Sequence, residues 1–200
     1  MSYELPLSKE QILDTAEQVL RRFGPDKTSV LDVARALQVS HGTLYRHFSS
    51  KASLREAVTE RWLTRSIVEP LAEIANGTDG SFVARLRLWM ETLINLKRTY
   101  ANDDPEMFAM YAAVTEAAAE IIDSHLEHLN GQIASILEGG IRSGEFIAVN
   151  TPEAARAIFL AFLHFHHPAH FRQWTNERID ADFDAVWRLL LGGIAATSAS

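Results

Sequence analysis

Between Thr28 and Leu54 the chain reads TSVLDVARALQVSHGTLYRHFSSKASL, a stretch whose caps and apolar spacing describe two short helices, a tight turn between them and the start of a third. Ser29 stands one residue before Val30 and three before Asp32, a capping-box arrangement that opens a helix of about 30–37. Val30, Val33, Ala34 and Leu37 fall at i, i+3, i+4 and i+7 and form one buried face. Gln38-Val39-Ser40 makes the turn, and Ser40 caps a second helix from His41 to Phe48. That helix is unusual for a structural element. It contains Gly42, and only Leu44 and Phe48 give it an apolar pair. His41, Thr43, Tyr45, Arg46 and His47 are left pointing outward. Two apolar anchors beneath a row of hydrogen-bonding and aromatic groups suit a helix that enters the major groove of DNA.

The matching residues are the Thr28-Ser29 entry, Ala34, Val39-Ser40, Gly42-Thr43-Leu44-Tyr45, His47-Phe48, Lys51 and Leu54. With them the stretch closely resembles the helix-turn-helix of the TetR family of transcriptional repressors. The resemblance runs from Leu5 to about Arg65, a third of the chain. The remainder is similar to the family in length and helical pattern. The fold it implies is all-α, with an N-terminal three-helix DNA-binding domain over residues 1–66 (helix-turn-helix about 29–48). A C-terminal helical domain for ligand binding and dimerisation follows over residues 67–200. Two departures stand out. The family commonly has a basic residue where this chain has His41, and often a glycine where it has Gln38, which predicts a slightly strained turn.

The chain carries a net charge of −7, which at first sight opposes DNA binding. The charge is segregated, however: residues 1–66 sum to +2 and residues 67–200 to −9. The phosphate-facing charge therefore lies in the first third. With no cysteine, neither a disulfide framework nor a thiolate metal site is possible, as suits a reducing cytoplasm. No leader opens the chain and no apolar run approaches the ~20 residues of a membrane span, so a cytoplasmic protein without a membrane partner is expected.

In order, Ser8 and Gln11 form a capping box, Leu7 and Ile12 a staple, and Ile12, Ala16, Val19, Leu20 and Phe23 the buried stripe of a first helix that ends at Gly24-Pro25. Ser49 or Ser50 caps a long helix from Lys51 toward Ala75, with Pro70 expected to kink it or mark a boundary. Further helices are expected over about 82–101, from Glu106 through Val114, over about 117–142, from Thr151 to about His167, and from Asp182 through Ile194. The total is about nine helices and no strand. Ala154–Phe165 is apolar nearly all round and Phe183–Ile194 over more than half its circumference. Such helices must be covered on all sides. A two-fold homodimer, packed through Ile158, Phe162, Phe165, Val186, Trp187, Leu190 and Ile194, covers them most simply. It also presents two recognition helices ~34–36 Å apart to a palindromic operator on double-stranded DNA.

For DNA contact the expected residues are Thr28, Ser29, Ser40, Tyr45 and Lys51 at phosphates, and His41, Gly42, Thr43 and His47 at or beside bases. Lys51 in a helix's first turn is unfavourable for the helix dipole unless a phosphate joins it. Trp89, Met107, Met110, Tyr111, Phe159, Phe162, His166 and Trp174 supply aromatic and thioether surface suited to an apolar pocket for a small-molecule effector. In the family such an inducer alters the spacing of the two DNA-binding heads. The histidines from His164 to His170 also suggest a metal-responsive alternative, which Pro168 opposes by breaking the helix; no metal or cofactor is expected. A third possibility is a DNA-binding dimer with no effector. Enzymatic function is not expected, since there is no glycine-rich phosphate loop, HExxH motif or cysteine nucleophile. Asp103-Asp104 and Asp180/Asp182 read as caps.

Overall fold

Ser8 accepts a hydrogen bond from the Gln11 backbone N–H (3.1 Å) while Gln11 Oε1 accepts one from the Ser8 N–H (2.9 Å), so the first helix starts where its capping box predicts. The computed structural model describes residues 7–196; the outermost parts of the expected domains, with Leu5, lie outside it. Helix α1 (Lys9–Phe23) buries Ile12, Leu13, Ala16, Val19 and Leu20. Phe23, expected in that stripe, is instead exposed and lies beneath the Arg22 guanidinium. Helix α2 (Val30–Ala36) carries the Ser29–Asp32 capping box, and α3 (His41–Tyr45) is capped by Ser40. Helix α3 is thus shorter than the 41–48 predicted. A turn carries the chain on to Phe48, which with Leu44 forms the two buried anchors.

The α2–α3 turn is a Schellman arrangement: Gln38 N–H donates to Arg35 O (3.1 Å) and Val39 N–H to Ala34 O (3.0 Å). It places Gln38 at φ +57°, the left-handed region that usually takes glycine. The predicted strain is therefore present. Gln38→Gly should raise the stability of the protein by about 0.5–1 kcal/mol, the relief of left-handed strain less the entropy glycine adds to the unfolded chain. Urea unfolding midpoints read this directly. An unchanged or lower midpoint would mean that the Gln38 side chain itself holds the turn.

Ser50 caps α4 (Lys51–Leu63), which passes through a π-helical turn at Thr64–Val68 into α5 (Glu69–Ala75). Glu69 N–H reaches back five residues to Thr64 O. The wide turn is where the helix accommodates Pro70, whose missing N–H and bulky ring interrupt the normal ladder. Helix α6 (Phe82–Asp103) begins at Ser81, α7 (Pro105–Ala117) follows, and α8 (Ala119–Ser143) ends at Gly144 in the left-handed region. Asp104 does not cap α7 with its side chain as expected, because its carboxylate is taken by Arg21.

The expected helix over 151–167 is divided at Phe162 into α9 (Thr151–Ala161) and α10 (Leu163–His166), followed by a 3-10 segment, Pro168–Gln173. Helix α11 (Ile179–Ile194) starts three residues earlier than predicted; Asp182 lies in its first turn. Among the described residues the only β-type pairing is an isolated bridge between Phe146 and Ala195, which ties the chain after α8 to the end of α11. No helix among them is long and apolar enough to cross a membrane.

Candidate nucleic-acid interface and interior cavity

Arg61 of α4 holds the first helix in place, bonding Glu10 (3.0 Å), Asp14 (2.8 Å) and Glu17 of α1. On that frame the outward face of α3 presents Ser40, His41, Gly42, Tyr45 and His47 to solvent, with Thr43 half-buried. The His41 imidazole packs edge-on against the Tyr45 ring at 4.5 Å. Gly42 has open space around its α-carbon apart from Ser40 Oγ, so a groove wall can approach the backbone there. Thr43 Oγ1 and Ser40 Oγ share a 2.8 Å hydrogen bond, which fixes the Thr43 rotamer and leaves its methyl available for contact. Exposed Arg46, outside the expected contact set, adds a cation beside Tyr45.

Two expected contacts look inward. Thr28 is buried, and its hydroxyl donates to Gly24 O at 2.8 Å. The Ser29 N–H and hydroxyl are both engaged by Asp32. These groups position α2 and have no donor left for a phosphate in this conformation. Lys51 is half-buried at the start of α4, with Nζ 3.4 Å from the Asp26 carbonyl oxygen, a long bond that leaves the ammonium free to turn.

In the C-terminal half a cavity of about 570 Å³ lies between α6, α7, α8, α9 and α10. Of the expected pocket residues, Tyr111, Phe159 and His166 line it. The other five do not. Trp89, Met107, Met110 and Phe162 are fully enclosed in the packed core, and buried Trp174 donates from Nε1 to His164 O at 3.0 Å. Trp89 Nε1 donates to Gln132 Oε1 (2.8 Å), while Gln132 Nε2 donates to Val68 O (3.0 Å) at the end of the π-helical turn. Trp89 is therefore part of the scaffold.

Sequence reasoning missed the cavity's most unusual group. Lys97 of α6 is 1% exposed, its Nζ has no hydrogen-bond partner among the described residues, and it sits 3.8 Å from the centre of the Tyr111 ring. The signal was a lysine in register with the apolar stripe, at i+4 from Leu93 and i+7 from Met90, which normally reads as a side chain reaching out to solvent. Burial lowers the Lys97 pKa to about 7. Burial, and then the charge of Lys97, lowers His166 to about 3 and holds His125 well below the ordinary histidine value. Both imidazoles are neutral at pH 7. His166 Nε2 and Asn130 Oδ1 are likewise buried without partners.

The four C-terminal histidines do not converge on one point. His166, against Phe159, and His167, which accepts from the Ala169 N–H, line the cavity, while exposed His164 and half-buried His170 pack against each other away from it. Among the described residues no group of three or more potential ligands has metal-binding geometry.

The expected dimer residues also divide. Ile158, Phe162, Phe165 and Trp187 are covered by their own chain, while Val186, Leu190 and Ile194 are partly buried against the core. Helices packed on one side within the protomer leave only the opposite side free. Here the exposed apolar side chains are Leu160 of α9 and Leu189 of α11, the latter 82% exposed, with Ala157, Ala185 and Gly192 exposed on the same helices.

Against known proteins, the family profile "Bacterial regulatory proteins, tetR family" matches residues 12–58, and "Tetracyclin repressor-like, C-terminal domain" matches residues 83–187. The uncharacterized HTH-type transcriptional regulator Rv1255c of Mycobacterium tuberculosis is 30% identical over 105 residues, 52% of this chain and 49% of that protein. The HTH-type transcriptional repressor KstR2 of Rhodococcus jostii is 25% identical over 143 residues, 69% of this chain and 67% of that protein. The chain spans about half the length, or less, of the first curated relatives it matches. Among solved structures, SmeT, the repressor of the Stenotrophomonas maltophilia multidrug efflux pump SmeDEF, superposes with a TM-score of 0.67 at 18% identity, covering 96% of this chain and 92% of that one. FadR from Bacillus subtilis, in complex with stearoyl-CoA, superposes with a TM-score of 0.62 at 20% identity over 93% and 99% of the two chains. Likeness at these identities shows the all-α fold.

Proposed function

The chain belongs to the TetR family of helix-turn-helix transcriptional regulators, and we propose that it is a homodimeric cytoplasmic repressor released from a palindromic operator by a small, largely apolar effector. Residues 1–66 form the DNA-binding part and 67–200 the part that dimerises and takes the effector. The observation that carries this proposal is the position of α7. Its middle, at Tyr111 and Thr115, walls the cavity. Its beginning, at Asp104, receives three hydrogen bonds of 3.0–3.2 Å from the Arg21 guanidinium of α1. Tyr111 also lies against Trp62 of α4, ring centres 6.0 Å apart. A ligand that moves α7 therefore moves the elements that aim α3. It changes operator affinity only if it binds the two arrangements unequally. Regulation, rather than catalysis, is the role this layout supports.

Two copies joined through the exposed faces of α9 and α11 around Leu160 and Leu189 present two α3 helices to successive major grooves. Tyr45, Lys51 and Ser40 are assigned to phosphates, and His41, Gly42, Thr43 and His47 to base edges or their surroundings. Thr28 and Ser29 support these residues from behind.

Selection of bound sequences from random duplex DNA, followed by a compound screen for release of the winning sequence, tests the whole scheme. Tyr45→Phe should weaken binding several-fold on every sequence, since a phosphate contact carries no sequence information. Thr43→Ala should change base preference at one position of each half-site, at a cost of about 1–3 kcal/mol on the preferred sequence. Uniform loss from both substitutions would show that Thr43 reads no base. A chain that selects no duplex removes the proposal.

A further inference from the structure

From the buried cation in the cavity wall we infer that the effector is an organic monoanion, a carboxylic acid with an apolar body, whose head group pairs with Lys97 Nζ. The inference rests on the effector-responsive role proposed above and names the ligand's class. The buried polar and charged side chains among the described residues are Thr28, Thr59, Arg85, Lys97, His125 and His166, with no aspartate or glutamate. Arg85 reaches the Asp79 carbonyl oxygen at 3.2 Å and lies over the Phe82 ring, so its charge is answered. Among the described residues Lys97 has only the face of Tyr111, which satisfies an ammonium partially.

A buried charge with no counter-charge is strongly unfavourable, and a site that retains one is incomplete until an opposite charge enters. A ligand carboxylate supplies it. If the lysine is neutral when an acid enters, transfer of the acid's proton to Nζ gives the same ammonium–carboxylate pair, so no further reactant is needed. The unpartnered His166 Nε2 and Asn130 Oδ1 offer hydrogen-bonding positions for one further polar substituent.

The rim favours a ligand with a single charge: Asp123, Glu127 and Arg156 line the exposed edge of the cavity, and their summed negative charge disfavours a second anionic group there. Leu126, Leu129, Phe159 and Leu163 make the rest of the wall apolar. At the enclosed Lys97 end of the cavity, one ion pair is worth far more than at a surface.

The test uses decanoate and phenylacetate, each paired with its neutral amide, in titration calorimetry on the full chain, wild type and Lys97→Met. Retention of the selected operator shows that the variant is folded. At least one acid should bind wild type tenfold or more tightly than its amide, and Lys97→Met should erase that preference while keeping the amide's affinity. Equal affinities in wild type, or an acid preference that survives in Lys97→Met, overturns the inference. If the amides then release operator, the effector-responsive role still stands. Acid preference through Lys97 with no effect on operator affinity confirms the anion site and removes the regulatory role instead. Absence of saturable binding by both acids overturns the inference.

Discussion

Lys97→Met should make the ligand-free protein harder to unfold, by about 2–4 kcal/mol at pH 7. Methionine fills a similar volume without a charge. The ammonium it replaces is enclosed by protein, and its pKa falls from 10.5 to about 7 because burial penalises the charged form. Between those two values the unfolded chain binds more protons at this site than the folded one. Stability therefore rises with pH across the window, by up to about 1.4 kcal/mol per pH unit, and is lowest where Lys97 is charged in both states. Wild type should gain stability from pH 7 toward pH 10, and Lys97→Met should lack that gain.

Burial also depresses His125, His166 and His167, so their penalty appears below about pH 6.5, where the unfolded chain takes up protons they refuse. Tyr111 is pushed up by burial and costs stability only in strongly alkaline solution. The difference between wild type and variant isolates the lysine. Thermal unfolding across pH 7–10 should show a gap on the order of 10 °C at pH 7, narrowing as pH rises. A variant less stable than wild type would mean that the ammonium's contact with the Tyr111 ring outweighs its desolvation.

Much of the DNA-binding half was legible in the sequence because its determinants are local. The capping boxes at Ser8 and Ser29, the Ser40 cap and the anchors Leu44 and Phe48 act within four residues of themselves, so spacing alone locates them. The left-handed turn at Gln38 was legible only through the family resemblance, which often puts a glycine at that position. The hydroxyls of Thr28 and Ser29 were misassigned because inward and outward rotamers are indistinguishable in a sequence.

The cavity was read less well, for a physical reason. An aromatic or methionine lining a void and one filling a core have the same composition, and only the packing of five helices decides which is which. Trp89 and Phe162 went to the core while Tyr111 and Phe159 reached the void. The break at Phe162, which places His166 against Phe159, arises from that packing and left no mark in the apolar pattern.

Asp104→Asn should leave operator and effector each bound nearly as in wild type, yet reduce the effector's power to release DNA by about three- to fivefold. The Arg21–Asp104 pair is partly solvated, with Arg21 43% and Asp104 16% exposed, so its loss costs less than about 1 kcal/mol of stability. Its position matters more than its strength. Arg61 binds α1 to α4 through Glu10, Asp14 and Glu17, so the DNA-binding helices move as a unit. That unit meets α7 at Arg21–Asp104, where Glu106 also approaches Gly24, and at Trp62–Tyr111. Tyr111 and Thr115 lie seven and eleven residues beyond Asp104, roughly 10–16 Å along a rigid helix, on the cavity wall. With the charged strut weakened, α7 can follow the ligand while α1 stays behind. Operator Kd with and without saturating effector, measured across the Arg21→Ala and Asp104→Asn double-mutant cycle, gives the coupling directly, and linkage requires effector affinity with and without DNA to change by the same factor. An undiminished ratio in Asp104→Asn would place the transmission in the Trp62–Tyr111 contact alone.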